Sequence, residues 1–291
     1  MIRYFFDALR ITNNNIILAT PLILFMLIVS IYSVILQTMS SSPVMYFLFL
    51  MTLGLMIAAF AAGWFYIVKK AIENDRISAT KDEKIKKSFD LMNLMVTGVG
   101  ENFLSFLGAL FLYVLILLTF LIFGSFIGVK LIGNLNFPIE QLKPALVSAE
   151  ATQAFIQTLS AEDLLKLTKW KYLILIGGAL FSFITLFWSV DIVKFNKNPF
   201  KALFNSNKFL WKNFFSTFLF YIMLFVFNFV VMLVTALLSM NNILYFISML
   251  IYFYFMVYMV VLVFLYYDDN TEKQDYSNNG SDSNGQDGIC N

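Results

Sequence analysis

The chain has no histidine, and its single cysteine is Cys290. Without imidazole there is no His-containing zinc site, no histidine general base and no histidine-held haem, which removes many enzyme classes at once. One cysteine forms no internal disulfide and leaves the redox compartment open, and its position does not fit a prenylation box. Charge is scarce as well: Asp, Glu, Lys and Arg make up 13% of the 291 residues, with a net charge of +2, too little to argue for nucleic acid. There is no phosphate-cradling glycine loop, no carboxylate pair spaced for acid–base work, and no Ser or Cys beside an evident activating base. These absences predict a non-enzymatic protein without catalytic residues, cofactor or metal.

What is abundant is apolar. At 60% hydrophobic and 18% aromatic residues, the composition lies outside the range of water-soluble domains and predicts an all-α, polytopic integral membrane protein. A helix needs about 20 apolar residues to cross a bilayer core of about 30 Å. Six runs qualify, at approximately 16–37, 44–68, 103–129, 172–193, 214–238 and 244–266. The first is followed by no small-x-small cleavage site, so it is expected to stay as a span. Only Thr38–Pro43 separates the first two runs and only Ser239–Ile243 the last two, which predicts antiparallel hairpins, three in all.

Orientation follows from lysine and arginine, which are retained on the cytoplasmic side. With the amino terminus inside, fifteen of the twenty cations are cytoplasmic and five lie between 130 and 171. Both termini are therefore expected in the cytoplasm, and the localisation is the cell membrane. The linker Lys69–Ser88 reads as a solvated cytoplasmic loop. The segment 130–171 reads as an extracytoplasmic amphipathic cap, broken by Pro138 and Pro144, with Ser160-Ala-Glu-Asp163 resembling a capping box that opens a second short helix. Residues 1–267 form the membrane domain, and 268–291, acidic and rich in Asn, Ser and Gly, read as a disordered cytoplasmic tail.

One pattern recurs. In Phe200–Phe214, Lys201, Asn205, Lys208 and Lys212 fall at steps of four, three and four, with Phe200, Leu203, Phe204, Leu210, Trp211 and Phe214 on the other side. Arg3, Asp7, Arg10 and Asn14 repeat those steps before the first run, opposite Phe6, Leu9, Ile16 and Ile17. A third copy precedes the third run, with Phe89, Met92, Val96, Val99 and Phe103 opposite Asp90, Asn93, Thr97 and Glu101. Such helices suit a membrane interface before spans 1, 3 and 5, and the lysines of the Phe200 copy, Lys201, Lys208 and Lys212, are candidate contacts for anionic lipid.

The spans carry few ionisable groups, which are costly at membrane depth and mark function when present. Asp191, near the end of the fourth run, is the one acid inside a span. It is expected either to pair with Lys194 one turn away or to form a cation or proton site. Asn228, midway along the fifth, is expected to hydrogen-bond a neighbouring helix or to contact a solute. Gly54, Ala58 and Ala62, and Gly124 with Gly128, form small-residue stripes for helix packing, within the chain first and between copies second. Gly177-Gly178 permits a bend or close packing in the fourth span.

The segment Pro199-Phe200-x-Ala202-Leu203, followed by Asn207 and Phe209, resembles bacterial six-helix membrane families of unknown function, among them the membrane domain attached to some glycerophosphodiester phosphodiesterases. The resemblance implies topology rather than activity, since no phosphodiesterase domain accompanies it here. The expected function is to organise or assist partners in the cytoplasmic membrane, with the lipid bilayer, a protein partner or a second copy as candidate contacts. The alternative is a carrier or channel for a small or lipid-like solute.

Overall fold

The computed structural model describes residues 2–39, 43–77, 81–134 and 149–282. Pro138, Pro144 and Cys290 lie outside them. Among the described residues the regular structure is entirely helical. Six helical stretches, Ile16–Leu36, Pro43–Ile77, Asp90–Leu131, Ala161–Lys194, Phe214–Leu238 and Asn242–Thr271, are long and apolar enough to cross a membrane. The fold is thus the expected six-span, all-α membrane architecture. In lipid a helix satisfies its own backbone groups, so apolar runs of this length have no cheaper conformation.

The chain divides into two compact units, Met1–Phe111 with Thr185–Asn291, and Leu112–Ile184. The first contains α1 (Ile2–Asn14), a 3-10 turn at Ile16–Leu18, α2 (Ala19–Met39), α3 (Pro43–Ile77) and the first part of α4 (Lys81–Leu131). It continues with α7 (Trp188–Lys194), α8 (Pro199–Lys212), α9 (Phe214–Leu238) and α10 (Asn242–Asp282). Its buried core joins Ala8, Ile11 and Leu18 to Ile67, Val68 and Ile72 of α3, Phe220 and Leu224 of α9, and Val261, Leu262 and Phe264 through Tyr267 of α10. Aromatic rings fill much of it: Tyr266 stacks on Phe220 at 4.1 Å, and Tyr267 on Phe187 at 5.0 Å.

Close approach of α3 and α4 depends on glycine. A Cβ on Gly98 would lie 2.5 Å from the Tyr66 Cβ, and one on Gly63 would lie 2.9 Å from the Met95 carbonyl oxygen. Ala58 and Ala62 are buried in the same stripe, while a Cβ on Gly54 would meet Leu110 at an ordinary 3.4 Å.

The second unit pairs the later part of α4 with α5 (Ala149–Thr158) and α6 (Ala161–Ile184). Tyr113 and Phe181 meet edge-on at 4.8 Å, and Trp170 lies so close to Gly128 that a Cβ there would be 2.2 Å from its ring. Gly124, the other member of that stripe, faces open space, so only Gly128 makes a contact of the expected kind. Gly133, with φ of +95°, ends α4 in the left-handed region that glycine tolerates, and its carbonyl accepts the Trp170 indole N–H at 3.2 Å.

Several boundaries differ from expectation. The described part of the 69–88 segment is helical rather than a loop: α3 continues to Ile77 and α4 begins at Lys81, with 78–80 outside the described residues. Residues 89–103 are no separate interfacial helix, because α4 runs unbroken from Lys81 through the third span. Ser160 does cap, its Oγ accepting from the Asp163 N–H at 3.1 Å, but the helix it opens is α6, which runs straight into the fourth span. Gly177 and Gly178 sit in continuous helix, and the interruption falls at the turn Thr185–Phe187. Finally, the chain does not lose structure at 268. α10 extends through Asp282, with Asp268 and Asp269 ion-paired; 283–291 lie outside the described residues.

Candidate functional site

Carboxylates buried in the first unit form a paired polar layer across α1, α3, α7 and α10. Asp191, on α7, is 2% exposed. Its Oδ1 accepts from the Tyr267 hydroxyl at 2.7 Å and its Oδ2 from the Asn196 amide at 3.0 Å. Lys194, the expected partner, instead pairs with Asp268 of α10. Side chains at Asp191 and Lys194 diverge because Asp268, arriving from a helix far along the chain, offers the lysine a buried counter-ion.

Asp268 also meets Arg76 Nη1 at 2.8 Å, and Arg76 Nη2 reaches Asp269 at 3.1 Å. On the α1 side, Asp75 accepts from Arg10 at 3.2 Å and from the Asn14 amide at 3.1 Å. Lys69 donates to the Val193 carbonyl at 3.0 Å, supplying a cation to the last turn of α7. A buried carboxylate needs a compensating partner: Asp75 and Asp268 have cations, and Asp191 has two neutral hydrogen-bond donors. Chemically, the layer is a tie between four helices. Asp191 has both oxygens taken by neutral donors and is enclosed by Phe187, Tyr267 and their neighbours, so no open face is left for a substrate.

Next to this layer, α8 is built in three faces. Asn198 caps it, accepting from the N–H groups of Phe200 and Lys201 at 3.0 and 3.2 Å, and Pro199 occupies the first helical position, where its missing N–H is no loss. Ala202, Ser206, Phe209 and Leu210 are buried against the protein. Phe200, Phe204 and Trp211 are exposed, Phe204 by 71%. Lys201, Lys208 and Lys212 are exposed on the remaining face, and among the described residues none forms an ion pair. Leu210, assigned with the outward apolar side, is in fact buried.

Asn228 of α9 is half-buried and borders a cavity of about 330 Å³. Phe65, Leu186, Leu224, Met259 and Val263 supply apolar wall, and Ser189 is a second polar group there. Among the described residues neither Asn228 nor Ser189 has a side-chain hydrogen-bond partner, so the expected interhelical bond from Asn228 is not made. The cavity follows from the turn at Thr185–Phe187, since Leu186 in that turn and Ser189 just after it form part of its wall. Nothing in the sequence names this turn: it has neither proline nor glycine. Irregular backbone at membrane depth is tolerated where it is packed in protein or lines a cavity.

Asp191 and Asn228 therefore occupy different surroundings, one closed and bonded, the other open and unpartnered. No known protein family, curated protein or solved structure matches the chain.

Proposed function

We propose that the protein is a non-enzymatic organising component of the cytoplasmic membrane, with both termini in the cytoplasm and α8 lying in the inner interface as a contact for anionic lipid. One observation carries this: Arg3, Arg10, Lys69, Lys70, Arg76 and Lys194 are all engaged by carboxylates, whereas the three lysines of α8 are unpaired beside exposed aromatic rings. A cationic face next to an apolar one is what an in-plane helix presents to acidic headgroups. The closed, bonded state of Asp191 supports a structural rather than a catalytic role for the buried layer.

The test is the full chain in nanodiscs of mixed phosphatidylglycerol and phosphatidylcholine, scored for enrichment of the anionic lipid around the protein. Replacing Lys201, Lys208 and Lys212 together by Gln should abolish the enrichment, at roughly 1 kcal/mol per lysine near the surface. Unchanged enrichment would remove the lipid role. Gentle purification with partner identification tests the organising role, and recovery of only a lone monomer would count against it.

A further inference from the structure

We propose that the cavity beside Asn228 is a binding site for one acyl chain of an uncharged lipid, with the Asn228 amide and the Ser189 hydroxyl holding that lipid's hydroxyl or ester oxygen. At about 330 Å³ it lies at the lower end of the roughly 300–1,000 Å³ typical of small-molecule sites, and its wall is apolar except for these groups and Tyr221. The composition of the wall selects the ligand. An apolar chain matches Phe65, Leu186, Leu224, Met259 and Val263, and a polar group is required because a bare amide in such surroundings is costly.

The ligand is neutral because the wall carries no cation. Lys69, one turn beyond Phe65, is committed to the Val193 carbonyl and to Glu73. Depth agrees with this choice. Phe65 and Val263 each precede by four residues, about 6 Å of helix, a residue of the polar layer, Lys69 and Tyr267. A chain in the cavity would therefore place its hydroxyl or ester oxygen below the charged layer, at the level of Asn228 and Ser189. Phe225, also on the wall and 59% exposed, marks a side where the cavity meets the surroundings of the span.

The site is separate from the lysines of α8 and is tested independently of them. The full chain in nanodiscs is photolabelled with a monoacylglycerol carrying a diazirine in its acyl chain, and in parallel with the corresponding fatty acid and with a diazirine-bearing phosphatidylglycerol. The expected result is labelling by the monoacylglycerol of the peptides holding Tyr221–Asn228 and Met259–Val263 in preference to other span segments. Asn228→Leu should reduce it roughly fivefold, what one lost hydrogen bond amounts to, and Val260→Phe, which fills the cavity, should abolish it. The triple Lys201, Lys208 and Lys212 replacement by Gln should leave it unchanged. Uniform labelling of all spans, no response to either variant in protein that still elutes as wild type, or equal labelling by the anionic probes would each overturn the proposal.

Discussion

α1 and α8 are made to one plan and differ in how their cations are engaged. Each places polar residues at steps of four, three and four, and each ends at an asparagine that leads into a span. The junction is the same in detail: the Asn15 amide donates to the Ile11 carbonyl at 2.9 Å and the Asn213 amide to the Phe209 carbonyl at 3.1 Å, four residues back in both cases. Each buries one face, Ala8, Ile11 and Thr12 in α1 and Ala202, Ser206 and Phe209 in α8, and exposes large apolar side chains on another, Phe6 and Phe204 among them. The difference lies in the acids. Asp7 sits between Arg3 and Arg10 at 3.5 and 3.2 Å, and Asp75 of α3 takes Arg10 as well. The matching position in α8 is Asn205, so its lysines stay unpaired. Asp7 and Asp75 together engage the cations of α1, and among the described residues no carboxylate engages those of α8.

The largest effect should come from the paired side of this comparison. Asp268→Ala strips the buried counter-ion from Arg76 and Lys194, and breaking a buried pair in this way costs about 3–5 kcal/mol. A large fall in the thermal midpoint of the purified protein is expected; a shift within error would mean that the layer does not hold the helices together. Arg10→Ala should cost less, about 1–3 kcal/mol, because Asn14 still reaches Asp75 and Arg10 itself is 58% exposed. The same variant should leave anionic-lipid enrichment untouched. If the enrichment falls, the cations of α1 are not committed inward and the contrast with α8 fails.

In the third copy of the plan the lock is steric. Residues 89–103 belong to α4, and there Gly98 accommodates Tyr66 while Gly63 accommodates Met95. Gly98→Ala should destabilise by about 1–3 kcal/mol through overpacking, read as a lowered midpoint with unchanged lipid enrichment. Gly124→Ala, facing open space, should do neither.

How much of this was legible follows from the range of each interaction. The six spans were readable because about 20 consecutive apolar residues have one stable outcome in lipid. Caps were readable as well, since Ser160 and Asp163 lie three residues apart. Asp191 was recognisable as unusual, but its partner Tyr267 is 76 residues away, and Lys194, adjacent on the helix, is diverted by Asp268. No local pattern carries that choice. Asp268 itself looked like the start of an acidic tail because its neighbours further on are polar; its burial is a property of the helices around it. The turn at Thr185–Phe187 has no breaker residue, and it forms part of the wall of the cavity that leaves Asn228 unpartnered.

The smallest change in stability should be the most informative. Asn205→Asp would place a carboxylate four residues after Lys201 and three before Lys208, the spacing by which Asp7 holds Arg3 and Arg10. Exposed pairs of this kind contribute only about 0.3–0.5 kcal/mol each, so the midpoint should barely move. Its effect on anionic-lipid enrichment should be several-fold, because the new charge both neutralises two of the three lysines and repels acidic headgroups. Asp7→Asn is the reverse experiment, but it frees chiefly Arg3, since Arg10 keeps Asp75. It should therefore add less lipid preference to α1 than Asn205→Asp removes from α8. Equal and opposite changes would mean that Asp75 contributes nothing to holding α1, leaving the helix's own charge pattern as the whole of the difference.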